Sequence, residues 1–236
     1  MQLFYYPEAK TGSMLTLDKQ ESAHIVRVLR MQQGDMLYIT DGRGSLFSGK
    51  ICDPDPKKVR VCIDSQRYYK PRDFSVHIAL APTKNIKRTE WFVEKAVEIG
   101  VEKISFFHSR HAERKSINSG RIEKIAIAAM KQSVKYHLPE TVSIQTLHDV
   151  ICGSPEPGKW IAHCFSDLRR ETIPIAGSGQ SNIVLIGPEG GFHKEEVLEA
   201  EQHGFTGIEL SPYRLRTETA ALIACQWLNM QNMYQV

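Results

Sequence analysis

Two short segments toward the carboxyl terminus combine residue types suited to holding a small ligand. In the first, the apolar run Asn182-Ile183-Val184-Leu185-Ile186 passes directly into Gly187-Pro188-Glu189-Gly190-Gly191-Phe192. Its glycines lack a Cβ and reach dihedrals closed to other residues, so main-chain amides can come within hydrogen-bonding distance of a ligand. Glu189 can accept a hydrogen bond from that ligand, or satisfy loop amides and the start of the next helix. In the second segment, Ile208-Glu209-Leu210 leads through Ser211, Pro212, Tyr213, Arg214 and Leu215 to Arg216-Thr217-Glu218-Thr219 and an alanine-rich stretch. Thr217 suits a helix N-cap, and Glu218 beside it suits the helix dipole by roughly 0.3 to 1 kcal/mol. Neither role accounts for Arg216, whose guanidinium keeps its charge and needs an anion, a carbonyl or water. At the mouth of a pocket it would stabilise negative charge on a substrate. Both segments read strand, loop, helix, and two such loops at the same end of neighbouring parallel strands would form two walls of one pocket.

A third constellation is basic. Lys84, Lys87 and Arg88 follow one predicted strand, and Arg110, Arg114 and Lys115 follow the next. Lys135 lies four residues from Lys131 and three from Gln132 on one predicted helix face, and Arg27 and Arg30 lie on another. Phosphate contacts favour such residues. The net charge is only +3, but it is unevenly spread: residues 1–72 hold 12 basic and 8 acidic side chains, residues 84–135 hold 12 and 6, and residues 136–236 hold 6 and 12. That polarity suits a protein presenting one face to a polyanion. His108 and His111 have no companion ligands nearby in sequence, so no metal is expected. The chain has no P-loop and no Gly-x-Ser-x-Gly elbow, and its glycine loop lacks the Gly-x-Gly-x-x-Gly spacing of a nicotinamide dinucleotide site.

These residues need elements to place them. With 236 residues and 42% hydrophobic content the chain can build real cores. Its first 72 residues alternate in the β manner around Leu37 and Ile39 and around Val59, Val61 and Ile63, which predicts a small barrel. One short helix is expected over Glu21 to Met31, with Ile25, Val28 and Leu29 as its apolar stripe. Tyr68 to Asp73, broken by Pro71, reads as a linker, placing a boundary between domains 1–72 and 73–236. Beyond it strands and helices alternate: strands at Val76 to Leu80, Ile104 to Phe107, Trp160 to Phe165, Asn182 to Ile186 and Ile208 to Leu210, and helices at Arg88 to Ile99 and Arg121 to Val134. This is an α/β pattern implying a parallel sheet covered on both faces. No run approaches a membrane span and the N-terminus lacks signal-peptide regions, so a cytoplasmic protein is expected. Five scattered cysteines (Cys52, Cys62, Cys152, Cys164, Cys225) predict neither a disulfide framework nor zinc; they are expected to be reduced and mostly buried.

Over nearly its whole length the chain resembles the RsmE family of 16S ribosomal RNA methyltransferases in the SPOUT superfamily. The carriers are His24-Ile25-Val26-Arg27-Val28-Leu29-Arg30-Met31, the stretch Lys87 to Val101, Ile186 to Phe192, and Leu215-Arg216-Thr217-Glu218-Thr219-Ala220. The resemblance implies a PUA-like RNA-binding β-barrel followed by a SPOUT α/β domain whose C-terminal segment threads a trefoil knot. It implies a homodimer that transfers the methyl group of S-adenosyl-L-methionine to N3 of a uridine in the decoding region of 16S ribosomal RNA, on the small ribosomal subunit. The cofactor would lie against Ile186, Gly187, Pro188, Glu189, Gly190, Gly191, Leu210, Ser211, Leu215, Arg216 and Thr217, with residues after the Trp160 to Phe165 strand on its adenosine side. Arg216 would stabilise the uracil anion, and Glu189 or Glu218 would orient the base or take its proton. Where many relatives carry an acidic residue and an arginine around Gln132-Ser133, this chain has Lys131 and Lys135. A knotted ribose 2′-O-methyltransferase and a non-catalytic RNA-binding protein are the alternatives.

Overall fold

The computed structural model describes residues 1–172 and 180–233. They group into two compact units, one of Met1–Pro71 with Ile127–Leu138 and the other of Arg72–Ala126 with Pro139–Val236.

The first unit contains β1 (Leu3–Tyr5), β2 (Met14–Thr16), α1 (Lys19–Ala23), β3 (Met36–Thr40), β4 (Ser45–Asp53) and β5 (Arg60–Tyr68). The strands form one sheet in the order β1-β3-β4-β5-β2, with β1 parallel to β3 and the other pairs antiparallel. Period-two alternation puts Leu37, Ile39, Phe47, Ile51, Val61 and Ile63 on one face, where they pack with Phe4, Leu15 and Ile25. The helix expected over Glu21 to Met31 is not continuous. Asp18 caps α1 by accepting from the Glu21 amide at 2.8 Å, α1 ends at Ala23, and His24–Val28 is π-helical. The wider turn, in which the Leu29 amide donates to the His24 carbonyl at 3.0 Å, rotates later residues out of α register. Ile25 is therefore buried but Val28, expected in the apolar stripe, is 66% exposed. The cysteine expectation is also corrected: Cys52, at a register shift in β4, and Cys62 of β5, which lies opposite Lys50, are joined as a disulfide. Cys152 and Cys164 are exposed, and only Cys225 among the free cysteines is buried. Ile127–Leu138 belongs here through main-chain bonds, Gly44 amide to Tyr136 carbonyl and Leu138 amide to Gly42 carbonyl, both 2.8 Å, and through the Tyr69 and Tyr136 rings 4.4 Å apart.

The second unit runs β6 (Val76–Leu80), α2 (Ile86–Ile99), β7 (Lys103–His108), α3 (Ser119–Gln132, its last turns in the first unit), β8 (Glu140–Thr146), α4 (Leu147–Gly153), β9 (Gly158–Ala162), β10 (Glu171–Thr172), β11 (Asn182–Ile186), α5 (Lys194–Gln202), β12 (Thr206–Glu209) and α6 (Thr217–Met233). All the pairings in its sheet are parallel, in the order β10-β12-β9-β11-β6-β7-β8. Burial on both faces explains why β6 and β11 are buried at every position. The strand expected to reach Phe165 stops at Ala162, and α3 stops at Gln132, with Val134 turned to φ 55°. α2 starts two residues before the expected Arg88, because the Asn85 side chain caps it by accepting from the Lys87 amide.

One polar network crosses this core. His77 Nδ1 meets Glu156 Oε1 at 2.7 Å and His77 Nε2 meets Ser105 Oγ at 2.8 Å, with all three side chains buried. Burial pushes the Glu156 carboxyl up, but the hydrogen bond and charge of His77 outweigh it and leave the group below its ordinary value. Among the described residues, no helix is long and apolar enough to cross a membrane.

Candidate active site

Strand register brings the loops together. Ile186 at the end of β11 lies opposite Leu80 of β6 and Ala162 of β9, and Ala162 lies opposite Ile208 of β12. The segments that follow these four strands therefore leave the sheet at one edge, where open α/β sheets bind ligands.

The glycine loop after β11 is a tight turn: the Gly191 amide donates to the Pro188 carbonyl at 2.8 Å, and Gly191 sits at φ 74°. Phe192 anchors it, buried and stacked on Phe107 with ring centroids 6.0 Å apart. A Cβ at Gly187 would lie 3.1 Å from the Phe192 ring, and one at Gly190 would lie 3.2 Å from His111. The protein's own packing therefore leaves little room for a side chain at either position. Glu196 braces the loop from the first turn of α5, accepting from the amides of His193 at 2.7 Å and Arg110 at 2.8 Å.

The second loop is tied to the first. Thr217, 5% exposed at the start of α6, donates its hydroxyl to the Gly187 carbonyl at 3.1 Å. The Ser211 hydroxyl accepts from the Tyr213 amide at 3.1 Å, Leu210 is buried and Leu215 half-buried. Arg216 is exposed, and among the described residues its guanidinium makes no hydrogen bond or ion pair. A guanidinium held beside two joined loops with its donors unspent is free to receive an anion.

The two acidic candidates have different surroundings. Glu189 Oε1 accepts from the Lys84 amide at 3.0 Å, so this carboxylate serves the loop after β6. Glu218 is 7% exposed, with Oε1 3.6 Å from Arg88 Nε and a buried Oε2 that has no hydrogen-bond partner. Arg88 is thereby turned toward Glu218. The other basic candidates are partly engaged. Lys84 pairs with Glu113 at 2.8 Å, a contact that raises its ammonium pKa, and Arg110 pairs with Glu195 at 2.5 Å. Arg114 donates to the carbonyls of Thr83 at 3.0 Å and Lys84 at 2.7 Å, while Lys87 is exposed. In the first unit Arg27, Arg30 and Gln132 are exposed, and Lys131 is bonded to Glu21.

Sequence reasoning missed Glu196 and His163. The spacing His193-x-x-Glu196 is a capping-box signal and could have found the first. His163, just after β9, is buried with Nε2 unpartnered, and burial followed by the nearby Arg170 charge lowers its pKa from 6.5 to about 4. Between those values the unfolded chain takes up a proton that the folded protein refuses, so His163 makes stability fall as pH drops from 6.5 toward 4. His163→Gln is expected to flatten that part of a plot of urea midpoint against pH. An unchanged slope would mean that His163 becomes protonated without penalty.

The fold and the site together define an RNA methyltransferase. Residues 70–229 match the RNA methyltransferase domain family, and residues 17–63 match the RNA methyltransferase PUA domain. The chain is 31% identical to the ribosomal RNA small subunit methyltransferase E of Buchnera aphidicola subsp. Acyrthosiphon pisum, over 88% of this chain and 84% of that one. It superposes with a TM-score of 0.90 on a crystal structure of a probable rRNA-methyltransferase from Porphyromonas gingivalis, at 42% identity and 98% coverage of both chains. A Legionella pneumophila protein described as a methyltransferase, solved with the cofactor SAM bound, follows at TM-score 0.85 and 29% identity, covering 98% of this chain and 97% of that one. The chain belongs to the ribosomal RNA small subunit methyltransferase E family.

Proposed function

We propose that this protein transfers the methyl group of S-adenosylmethionine to N3 of a uridine in the decoding region of 16S ribosomal RNA, acting in the cytoplasm on the small ribosomal subunit. The observation that carries this reading is the bond from Thr217 to the Gly187 carbonyl, which fastens the two loops to each other with Arg216 unpaired beside them. The cradle suits the cofactor: a Cβ at Gly191 would meet nothing within 4 Å, so open space lies over the turn, and Ile186, Gly187, Pro188, Gly190, Leu210, Ser211 and Leu215 would complete its walls. The cofactor supplies a methyl group on a positively charged sulfur.

The protein must do the rest. Uracil N3 carries a weakly acidic proton, and its loss spreads negative charge over O2 and O4. Arg216 stabilises that charge. Either carboxylate can orient the base or take the N3 proton: Glu189 is exposed and accepts the Lys84 amide through one oxygen only, whereas the unpartnered oxygen of Glu218 is buried and must first be uncovered. Lys84, Lys87, Arg88, Arg110 and Arg114 in one unit, and Arg27, Arg30, Lys131, Gln132 and Lys135 in the other, face the RNA. The C-terminal segment threads the family's trefoil knot, and a second copy of the chain completes the site. Leu222 and Ile223 on α6 are half-buried and Met230 is 43% exposed, which fits covering by a partner helix.

Thr217→Val keeps the side-chain shape and removes the clasp. The loss of one hydrogen bond, about 1 kcal/mol, predicts cofactor binding weaker by roughly fivefold in calorimetry. Unaltered affinity would separate the clasp from cofactor binding. The function itself is tested by incubating the protein with methyl-labelled S-adenosylmethionine and small subunits lacking the modification, then digesting the RNA to nucleosides. Label in 3-methyluridine is expected; label on a ribose, or none, overturns the reading.

A further inference from the structure

A cavity of about 770 Å3 opens between the first turn of α2 and the loop leading from β7 into α3. Lys87 and Glu90 of α2, Arg114 and Ser116 of the loop, and Ser119 and Arg121 of α3 help to line it. Three cations thus share the walls with one anion. Both oxygens of Glu90 accept from the Arg121 guanidinium, one of them at 2.7 Å, and these hydrogen bonds hold its carboxyl below the usual range. Arg114 is fixed by the Thr83 and Lys84 carbonyls, which orient the guanidinium without cancelling its charge. Lys87 makes no ion pair among the described residues.

Pre-oriented guanidinium groups, an exposed ammonium and two serine hydroxyls are a donor set for a tetrahedral oxyanion. The cavity is also linked to the proposed active site. Lys84 accepts from Arg114 through its carbonyl and donates to Glu189 of the glycine loop through its amide, and Arg88, the residue after Lys87, pairs with Glu218. We propose that this cavity seats one backbone phosphodiester of the RNA strand, close to the nucleotide being methylated. This rests on the RNA methyltransferase reading, and narrows a basic surface to one socket that includes Arg121, Ser116 and Ser119.

The test is the affinity of the full-length protein for the small ribosomal subunit as a function of salt. Lys87→Gln and Arg121→Gln are each expected to weaken binding about tenfold at 0.15 M salt and to lower the log–log salt slope by about 1, with Lys87→Arg restoring both. Calorimetry with S-adenosylmethionine should be unmoved, which a merely misfolded variant would not show. If wild type methylates RNA while affinity and slope stay unchanged in both variants, the socket is wrong and the functional reading stands. If wild type transfers no methyl to RNA, the functional reading fails. Inorganic phosphate that raises the melting temperature of wild type but not of Lys87→Gln, with RNA slopes equal, would make this a free-phosphate site and overturn the proposal.

Discussion

Arg216→Ala should lower kcat by about 10²- to 10³-fold while leaving S-adenosylmethionine affinity within roughly threefold, the loss seen when one preorganised donor to a developing anion is removed. Arg216 is exposed and spends no donor within the protein, so its removal breaks no internal contact and the melting temperature should hold. Its neighbour Thr217 is buried and fastened to Gly187, so the main chain carrying Arg216 is fixed in front of the glycine loop. Arg216→Lys retains charge but loses the planar fork, and should recover only part of the rate. Equal losses in turnover and cofactor affinity would show instead that Arg216 shapes the cradle.

The second large effect lies in the core. Glu156→Ala removes the partner of His77, and the two side chains are only 8% and 4% exposed. Breaking a buried pair costs about 3 to 5 kcal/mol. For a chain of this size the lower figure, about 3 kcal/mol, corresponds to a fall in melting temperature of roughly 6 to 12 °C. The pH dependence has a definite sign. Because the Glu156 carboxyl lies below its ordinary value of 4.5, its contribution is complete above that pH and lost as pH falls through the folded value. The stability gap between wild type and Glu156→Ala, read from urea midpoints, should narrow at pH 3.5 relative to pH 7. A gap that stays constant would show that only packing was lost.

Legibility followed burial. β6 and β11, covered on both faces, appear in the sequence as short apolar stretches, one broken only by His77 and the other following Asn182, whose ends coincide with the strands. β8, at the sheet edge, alternates only two apolar residues, Val142 and Ile144, with Thr141, Ser143 and Gln145, a period-two signal too short to stand out, although Thr146 and Asp149 cap the helix after it. The π-helical turn at His24 was invisible for a different reason: periodicity assumes a fixed number of residues per turn, and one wider turn displaces Val28. The Cys52 and Cys62 pairing depends on strand register, which a sequence separation of 10 does not reveal. At the site, the glycine loop and the Arg216-Thr217-Glu218 run were readable because their residue types are unusual for strand ends. Which partner each carboxylate takes was not readable, since Lys84 lies 105 residues from Glu189 and no local rule connects them.

The account as a whole stands on two loops, clasped at Thr217 and Gly187, that present a methyl donor to a nucleobase. Nucleoside mass spectrometry of 16S ribosomal RNA from cells lacking this protein tests it most directly. The account predicts that 3-methyluridine disappears, returns with the wild-type chain and stays absent with Arg216→Ala. Persistence of 3-methyluridine, or the loss of a ribose methyl in its place, would contradict it.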